Sequence, residues 1–215
     1  NGAGKTTIFN LMSRIYDPSE GRLVFEGQDI TRVPPHKIAA LGIARTFQNI
    51  ELFEHATLLQ NLLLARHAHK KSNFWSELLF TPATRRMEIE HREAVEHVID
   101  FLDLQQYRDS YIVNLPYGVR KVTELARALC TNPKLLLLDE PSSGLNVEET
   151  EDMAFWIQDI KNLLGITVLM VEHDMSLVSA VSDRVLALNY GRPLAMGTPS
   201  EVQSHPEVMR AYLGG

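Results

Sequence analysis

The residues best suited to chemistry stand at four places in the chain. The first is Asn1-Gly2-Ala3-Gly4-Lys5-Thr6-Thr7, the back end of the phosphate-binding pattern G-x-x-x-x-G-K-[ST]. In that pattern small residues let the backbone curl until its N–H groups face phosphate oxygens, and a helix then begins with its positive end toward the same anion. Lys5 is placed to meet the β and γ phosphates as a point charge, Thr6 to give its hydroxyl to Mg2+, and Thr7 to bond the α phosphate. The leading Gly would lie two positions before Asn1, so the sequence starts inside the motif.

The second place is Leu135-Leu136-Leu137-Leu138-Asp139-Glu140-Pro141, an apolar strand whose last residues emerge at the carboxyl edge of a sheet, where sheets of this type bind ligands. Asp139 is expected to hold Mg2+ through its water shell, because that hard ion keeps waters and takes few carboxylates. Glu140 is expected to orient or deprotonate an attacking water. Taken singly, a Gly-rich turn before an ordinary helix or a strand ending in two solvated acids explains either stretch. Together they complement each other as phosphate template and metal site. Gln48 and His173 also follow strand-like runs. In a parallel sheet both would reach the γ-phosphate side, Gln48 toward the metal or the water and His173 toward the γ phosphate.

Positioning such residues requires strands alternating with helices. Apolar Ile8, Leu11, Met12 and Ile15 at helical spacing predict a helix over Thr6–Arg14, then a strand at Arg22–Glu26 closed by Gly27-Gln28-Asp29. Pro34-Pro35 opens a short helix to about Leu41, and Ile43–Phe47 reads as a strand. From Leu52 to about Tyr111 helical periodicity takes over, in Leu58–His67 and Ala83–Leu104. In the latter, Ala94, Val98, Phe101 and Leu102 form the apolar stripe. This stretch is expected to be an inserted helical lobe, with the apolar run within Lys70–Thr81 packed inside it or facing a partner.

Beyond Leu115 the alternation returns. A helix is predicted at Val119–Leu129, a buried strand at Lys134–Asp139, a helix at Glu148–Leu164 and a second buried strand at Ile166–Val171. A hairpin turning at Tyr190-Gly191 joins Arg184–Asn189 to Pro193–Gly197, and a helix covers Glu207–Leu213. The fold class is therefore α/β, with a parallel core sheet and an inserted helical subdomain.

The 215 residues suffice for one such domain, and 45% hydrophobic against 22% charged residues suits a soluble globular chain rather than a disordered one. A net charge of −6, with no long Lys/Arg block, argues against nucleic acid as partner. The single cysteine, Cys130, cannot close an internal disulfide and sits in an apolar setting that predicts burial. No apolar run approaches the ~18 residues a membrane span needs.

The order of these motifs resembles the ATP-binding subunit of ABC transporters, over essentially the whole sequence. Asn1–Thr7 corresponds to Walker A, Gln48 to the Q-loop, Leu115–Val119 to the signature, Leu135–Glu140 to Walker B, Ser143–Asn146 to the D-loop and His173 to the switch histidine. Within the family, Leu115-Pro116-Tyr117-Gly118, Asp139-Glu140-Pro141-Ser142-Ser143-Gly144-Leu145-Asn146 and the ending Gly197-Thr198-Pro199-Ser200-Glu201-Val202 with Ala211-Tyr212-Leu213-Gly214 look most like the subunits serving branched-chain amino acid uptake.

The resemblance implies a P-loop NTPase whose catalytic core comprises residues 1–51 and 112–215, with a helical subdomain over about 52–111 and the family's N-terminal strands missing. It implies ATP and Mg2+ as ligands, and a homodimer or heterodimer in which two subunits sandwich two nucleotides. Gly118 of one subunit then faces the P-loop of the other. Closure would drive transmembrane permeases at the cytoplasmic face of the cell membrane, served indirectly by a periplasmic receptor, and hydrolysis would reset the dimer.

Two departures stand out. Val119 replaces the usual Gln of the signature, and Asn146 replaces the usual D-loop Asp, keeping hydrogen bonding while dropping a charge. Without the preceding strands and their base-stacking aromatic residue, weaker ATP binding is expected than for a chain extended upstream. The rival expectations are another cargo, such as urea or an exported lipid, a soluble ABC-type ATPase of DNA repair or translation, and a P-loop kinase.

Overall fold

The computed structural model describes residues 3–46, 50–66 and 82–213 and divides the chain into two compact units, Asn1–His36 with Leu138–Gly215, and Lys37–Leu137. The expectations for Asn1, Gly2, Phe47, Gln48, Asn49 and the Lys70–Thr81 run lie outside the described residues.

In the first unit, α1 (Lys5–Met12) follows Gly4, whose φ of 95° only glycine adopts freely. Its buried residue is Phe9. Ile15, expected to continue the helical spacing, is 48% exposed, because the helix stops at Met12 and Arg14 turns left-handed at φ 60°. Arg14 is buried and anchors that exit: its guanidinium donates to the carbonyls of Val33 and Tyr16 and pairs with Asp17. A two-residue turn at Glu26-Gly27, both at positive φ, joins β1 (Val24–Phe25) to β2 (Gln28–Asp29) as an antiparallel hairpin. The expected single strand is thus a strand, a turn and a second strand.

The second unit opens with two 3-10 turns, Pro35–Lys37 running into it and Ala39–Leu41, in place of the single short helix expected. It continues through β3 (Ile43–Arg45), α2 (Leu58–Ala65), α3 (Pro82–Phe101) and α4 (Tyr117–Leu129). Thr57 starts α2 with a reciprocal capping box to Gln60. Of the expected stripe Leu102, just past the end of α3, is buried and Ala94, Val98 and Phe101 are half-buried, while Val95 and Ile99, one position on from Ala94 and Val98, are the residues α3 buries. Asp103, at φ 55°, ends that run. Helix α4 packs against α2, α3 and β3 and begins two residues earlier than expected. Cys130 after it is buried, and burial pushes its thiol pKa up to about 12, so it is inert at neutral pH.

Helix α4 also buries charge. The Glu124 side chain is 2% exposed and accepts the Glu51 N–H at 2.9 Å, while Arg127 donates to the Glu51 carbonyl and lies 3.7 Å from Glu124. Burial, opposed by the Glu51 N–H, Arg127 and Lys121, raises the Glu124 pKa. A carboxyl raised above its unfolded value is most favourable to the fold when protonated, so this stability contribution falls as pH rises from about 4.5 through the folded pKa. Glu124→Gln keeps an acceptor for Glu51 and carries no charge to desolvate. At pH 7 it is expected to stay within about 1 kcal/mol of the parent, whereas Glu124→Ala leaves the Glu51 N–H and Arg127 uncompensated and costs about 2–3 kcal/mol. Denaturant unfolding of both variants checks this.

Strand β4 (Leu135–Asp139) crosses from the second unit into the first. It pairs in parallel with β3, Ile43 opposite Leu135 and Arg45 opposite Leu137, and the sheet order is β3-β4-β5. Leu136, Leu137 and Leu138 are at most 1% exposed, because successive side chains enter opposite faces and both are covered. The expectation of a second fully buried strand fails for β5 (Thr167–Val171). Leu169 is 38% exposed and only Val171, at the end of the strand, is buried, while α5 (Val147–Asn162) packs against the strand. Asn146 starts α5 by accepting the Glu149 N–H in a capping box.

The first unit ends with α6 (Met175–Val181), β6 (Val185–Asn189), β7 (Arg192–Gly197), α7 (Pro199–Gln203) and α8 (Pro206–Leu213). The hairpin turns at Tyr190-Gly191, as expected, with both residues at positive φ. Pro193, which has no N–H, sits beside a bulge in the ladder.

Candidate active site

Two loops of the first unit carry the expected chemistry. The P-loop end places Lys5, Thr6 and Thr7 in the first turn of α1, Lys5 half-buried and the two threonines exposed. No side chain caps that helix, so its first amides remain for an anion. The loop is held from behind by the β6–β7 turn, where the Gly191 N–H donates to the Ala3 carbonyl at 2.8 Å. A Cβ on Gly4 would stand 3.3 Å from the Gly191 Cα, so the approach depends on glycine at Gly4.

The second loop pair lies where β4 and β5 end side by side. Asp139 closes β4 and is 4% exposed. Glu140 follows in the left-handed region at φ 51°, a conformation that costs a non-glycine residue about 1 kcal/mol or more and is held by its surroundings. Its N–H donates to the Val171 carbonyl at 2.8 Å and its own carbonyl accepts the Ser143 N–H. Two residues past Val171, His173 projects with its side chain 67% exposed and Nδ1 3.9 Å from Glu140 Oε1. Expected residues 33 positions apart in the chain, Glu140 and His173, thus meet at one strand edge.

Glu172 lies beneath them, a residue that sequence reasoning passed over. Its side chain is 0% exposed, and its two oxygens accept from Ser142 N–H and Oγ and from the His173 and Asp174 N–H groups. The only signal for it was an acid wedged between a strand end and the histidine. Asp174 then caps α6, and the hydroxyl and amide of Ser176 hold its carboxyl below the usual carboxylate range.

Gly118, assigned to the signature, lies in the other unit, buried in the first turn of α4 after Pro116. Gln48, Asn1 and Gly2 are outside the described residues. Asp139 supplies a buried strand-end carboxylate and Thr6 an exposed hydroxyl in the first turn of α1, hard oxygen donors of the kind Mg2+ takes beside phosphates and water.

Comparison with known proteins gives the family. The family described as ABC transporter matches residues 1–143, and that described as branched-chain amino acid ATP-binding cassette transporter matches residues 192–215. The chain belongs to the ABC transporter family, as an ATP-binding cassette with the P-loop NTPase fold. It is 43% identical over 214 residues to the high-affinity branched-chain amino acid transport ATP-binding protein BraF of Pseudomonas aeruginosa, covering 100% of this chain and 84% of that protein. To the corresponding protein LivG of Escherichia coli K12 it is 40% identical with the same coverage. The crystal structure of the ADP conformation of an ATP-binding cassette of an ABC transporter superposes with a TM-score of 0.83 at 30% identity, covering 100% of this chain and 85% of that one.

Proposed function

We propose that this chain is the ATP-hydrolysing subunit of an importer for branched-chain amino acids. The meeting of Glu140 and His173 at the joined ends of β4 and β5, in a member of this family, carries the hydrolytic reading. Identity of 43% and 40% along the whole chain to subunits named for branched-chain amino acid transport supports the cargo.

In the proposed reaction, Lys5 and the first-turn amides of α1 hold the triphosphate. Glu140 draws the proton from a water as its oxygen bonds the γ phosphorus and the bond to the β-phosphate oxygen breaks, giving ADP and inorganic phosphate. His173 hydrogen-bonds the γ-phosphate oxygens as charge develops there. Thr6 and Asp139 would hold Mg2+, which when bound offsets phosphate charge.

The subunit acts as a dimer, of two copies or with a second ATPase, on transmembrane permeases at the cytoplasmic face of the membrane. It comprises a catalytic core of residues 1–51 and 112–215 and a helical subdomain of about 52–111. Among the described residues no helix is long and apolar enough to cross a membrane.

The test is reconstitution with candidate permeases and receptor in lipid vesicles. ATP hydrolysis is expected to rise several-fold when leucine, isoleucine or valine is supplied with the receptor, and to be indifferent to DNA or RNA. Stimulation by nucleic acid instead, or by urea or a lipid in place of these amino acids, would overturn the reading of partner or of cargo respectively.

A further inference from the structure

We propose that Glu172 is a positioning residue for hydrolysis, a buried carboxylate staple that fixes His173 and the turn after Glu140 in one arrangement. The proposal rests on the reading of Glu140 and His173 given above, and deepens it.

Four donors converge on this one side chain. Oε1 accepts the Ser142 N–H at 2.9 Å and the Ser142 hydroxyl at 2.6 Å, and Oε2 accepts the His173 N–H at 2.8 Å and the Asp174 N–H at 3.2 Å. Ser142 lies on the turn that Glu140 opens, and His173 and Asp174 lie on the segment after β5. The carboxylate therefore ties the loop carrying the proposed base to the loop carrying the proposed phosphate ligand. The Glu140 N–H to Val171 bond is a second tie one step closer to the sheet. Between the two ties Glu140 is kept at φ 51°, and the same Oε2 lies 3.8 Å from His173 Nδ1, so the imidazole stands between two carboxylates.

Charge is what the position requires. Each oxygen faces two hydrogen-bond donors, so an acceptor-only group is satisfied on both sides. Glutamine has nearly the same shape, yet turned one way its amide sets N–H groups against the His173 and Asp174 N–H groups, and turned the other way against the Ser142 N–H, where only the Ser142 hydroxyl can rotate to accept. A buried acid that served packing alone would not need all four of its bonds to go to loops bearing site residues. The side chain itself is 0% exposed and Ser142 is buried, so the bonds to Ser142 are the ones water replaces least readily.

The experiment is a double-mutant cycle in single-turnover ATP hydrolysis, combined with hydrogen exchange on the nucleotide-free chain. Glu172→Gln is expected to lower the hydrolysis rate at saturating ATP about 10- to 100-fold with the half-saturating ATP concentration changed less than about threefold. It is also expected to speed exchange at the His173 and Asp174 amides about tenfold or more while the amides of α5 keep theirs. In a His173→Ala background the same substitution is expected to cost at least about threefold less than in the wild type, because one of the two groups it positions is already gone and only its hold on the Glu140 turn is left to lose. Ser142→Ala, which deletes one of the four bonds, gives the same pattern at smaller size and serves if Glu172→Gln folds poorly.

A wild-type rate in Glu172→Gln, an equal loss in both backgrounds, or faster exchange everywhere with no local excess would overturn the proposal. His173→Ala alone at the wild-type rate would instead remove the role given to the histidine, and with it the staple's purpose.

Discussion

Glu140→Gln is expected to lower ATP turnover about 10²- to 10⁴-fold while ATP affinity stays within about twofold, as single-turnover hydrolysis and calorimetric titration would show. The amide matches the carboxylate in size, so the turn, with its N–H on Val171 and its carbonyl on Ser143, has no reason to move. What is lost is the one atom able to take a proton from water. Glu140 is 20% exposed at the strand edge, open enough for that water and close enough to His173 for both to address one phosphate. Retained turnover would reassign the base. Weakened binding with turnover unchanged would make Glu140 a ligand for the nucleotide instead.

Lys5→Ala should produce two effects of opposite sign. Lys5 is the first residue of α1, where the helix presents its positive end, and a cation there is unfavourably placed while no anion is bound. The nucleotide-free chain is therefore expected to become more stable, by about 0.3–1 kcal/mol in denaturant unfolding. ATP affinity is expected to fall about a hundredfold or more, because phosphate oxygens brought out of water lose their charged donor, a loss of about 3–5 kcal/mol. A variant that bound ATP normally would show that this loop is not a phosphate cradle. One that lost stability would show that Lys5 serves the fold.

The elements that set this site up were legible to differing degrees, for physical reasons. Strand β4 was plain because four consecutive leucines ending in two acids fit only a strand buried on both faces. The Tyr190-Gly191 turn was plain because two-residue hairpin turns demand positive φ. The inner face of α3 was read one position off, since Ala94 and Val98 have the same spacing as Val95 and Ile99 and only packing against the neighbouring helix chooses between them. Ile15 misled because nothing local announces that Arg14 turns the chain out of the helix. Helices α6 and α7 are too short for periodicity to show, although Asp174 and the Thr198-Pro199-Ser200-Glu201 box mark their starts. Within the site, Asp139, Glu140 and His173 stood out as polar residues following apolar runs. Glu172 did not, because a charged residue is expected in water until the fold supplies four donors to it.

The P-loop has a further property that follows from how its compact unit is assembled. Asn1–His36 belongs with Leu138–Gly215, and the Ala3 carbonyl takes its hydrogen bond from Gly191, far along the chain. A ribosome adding about 5–20 residues per second spends roughly 10–40 s between Ala3 and Gly191. The nascent phosphate loop emerges first and waits for its backing, so the ability to bind nucleotide arrives late in synthesis, and products cut short before the hairpin carry the motif without the platform that shapes it.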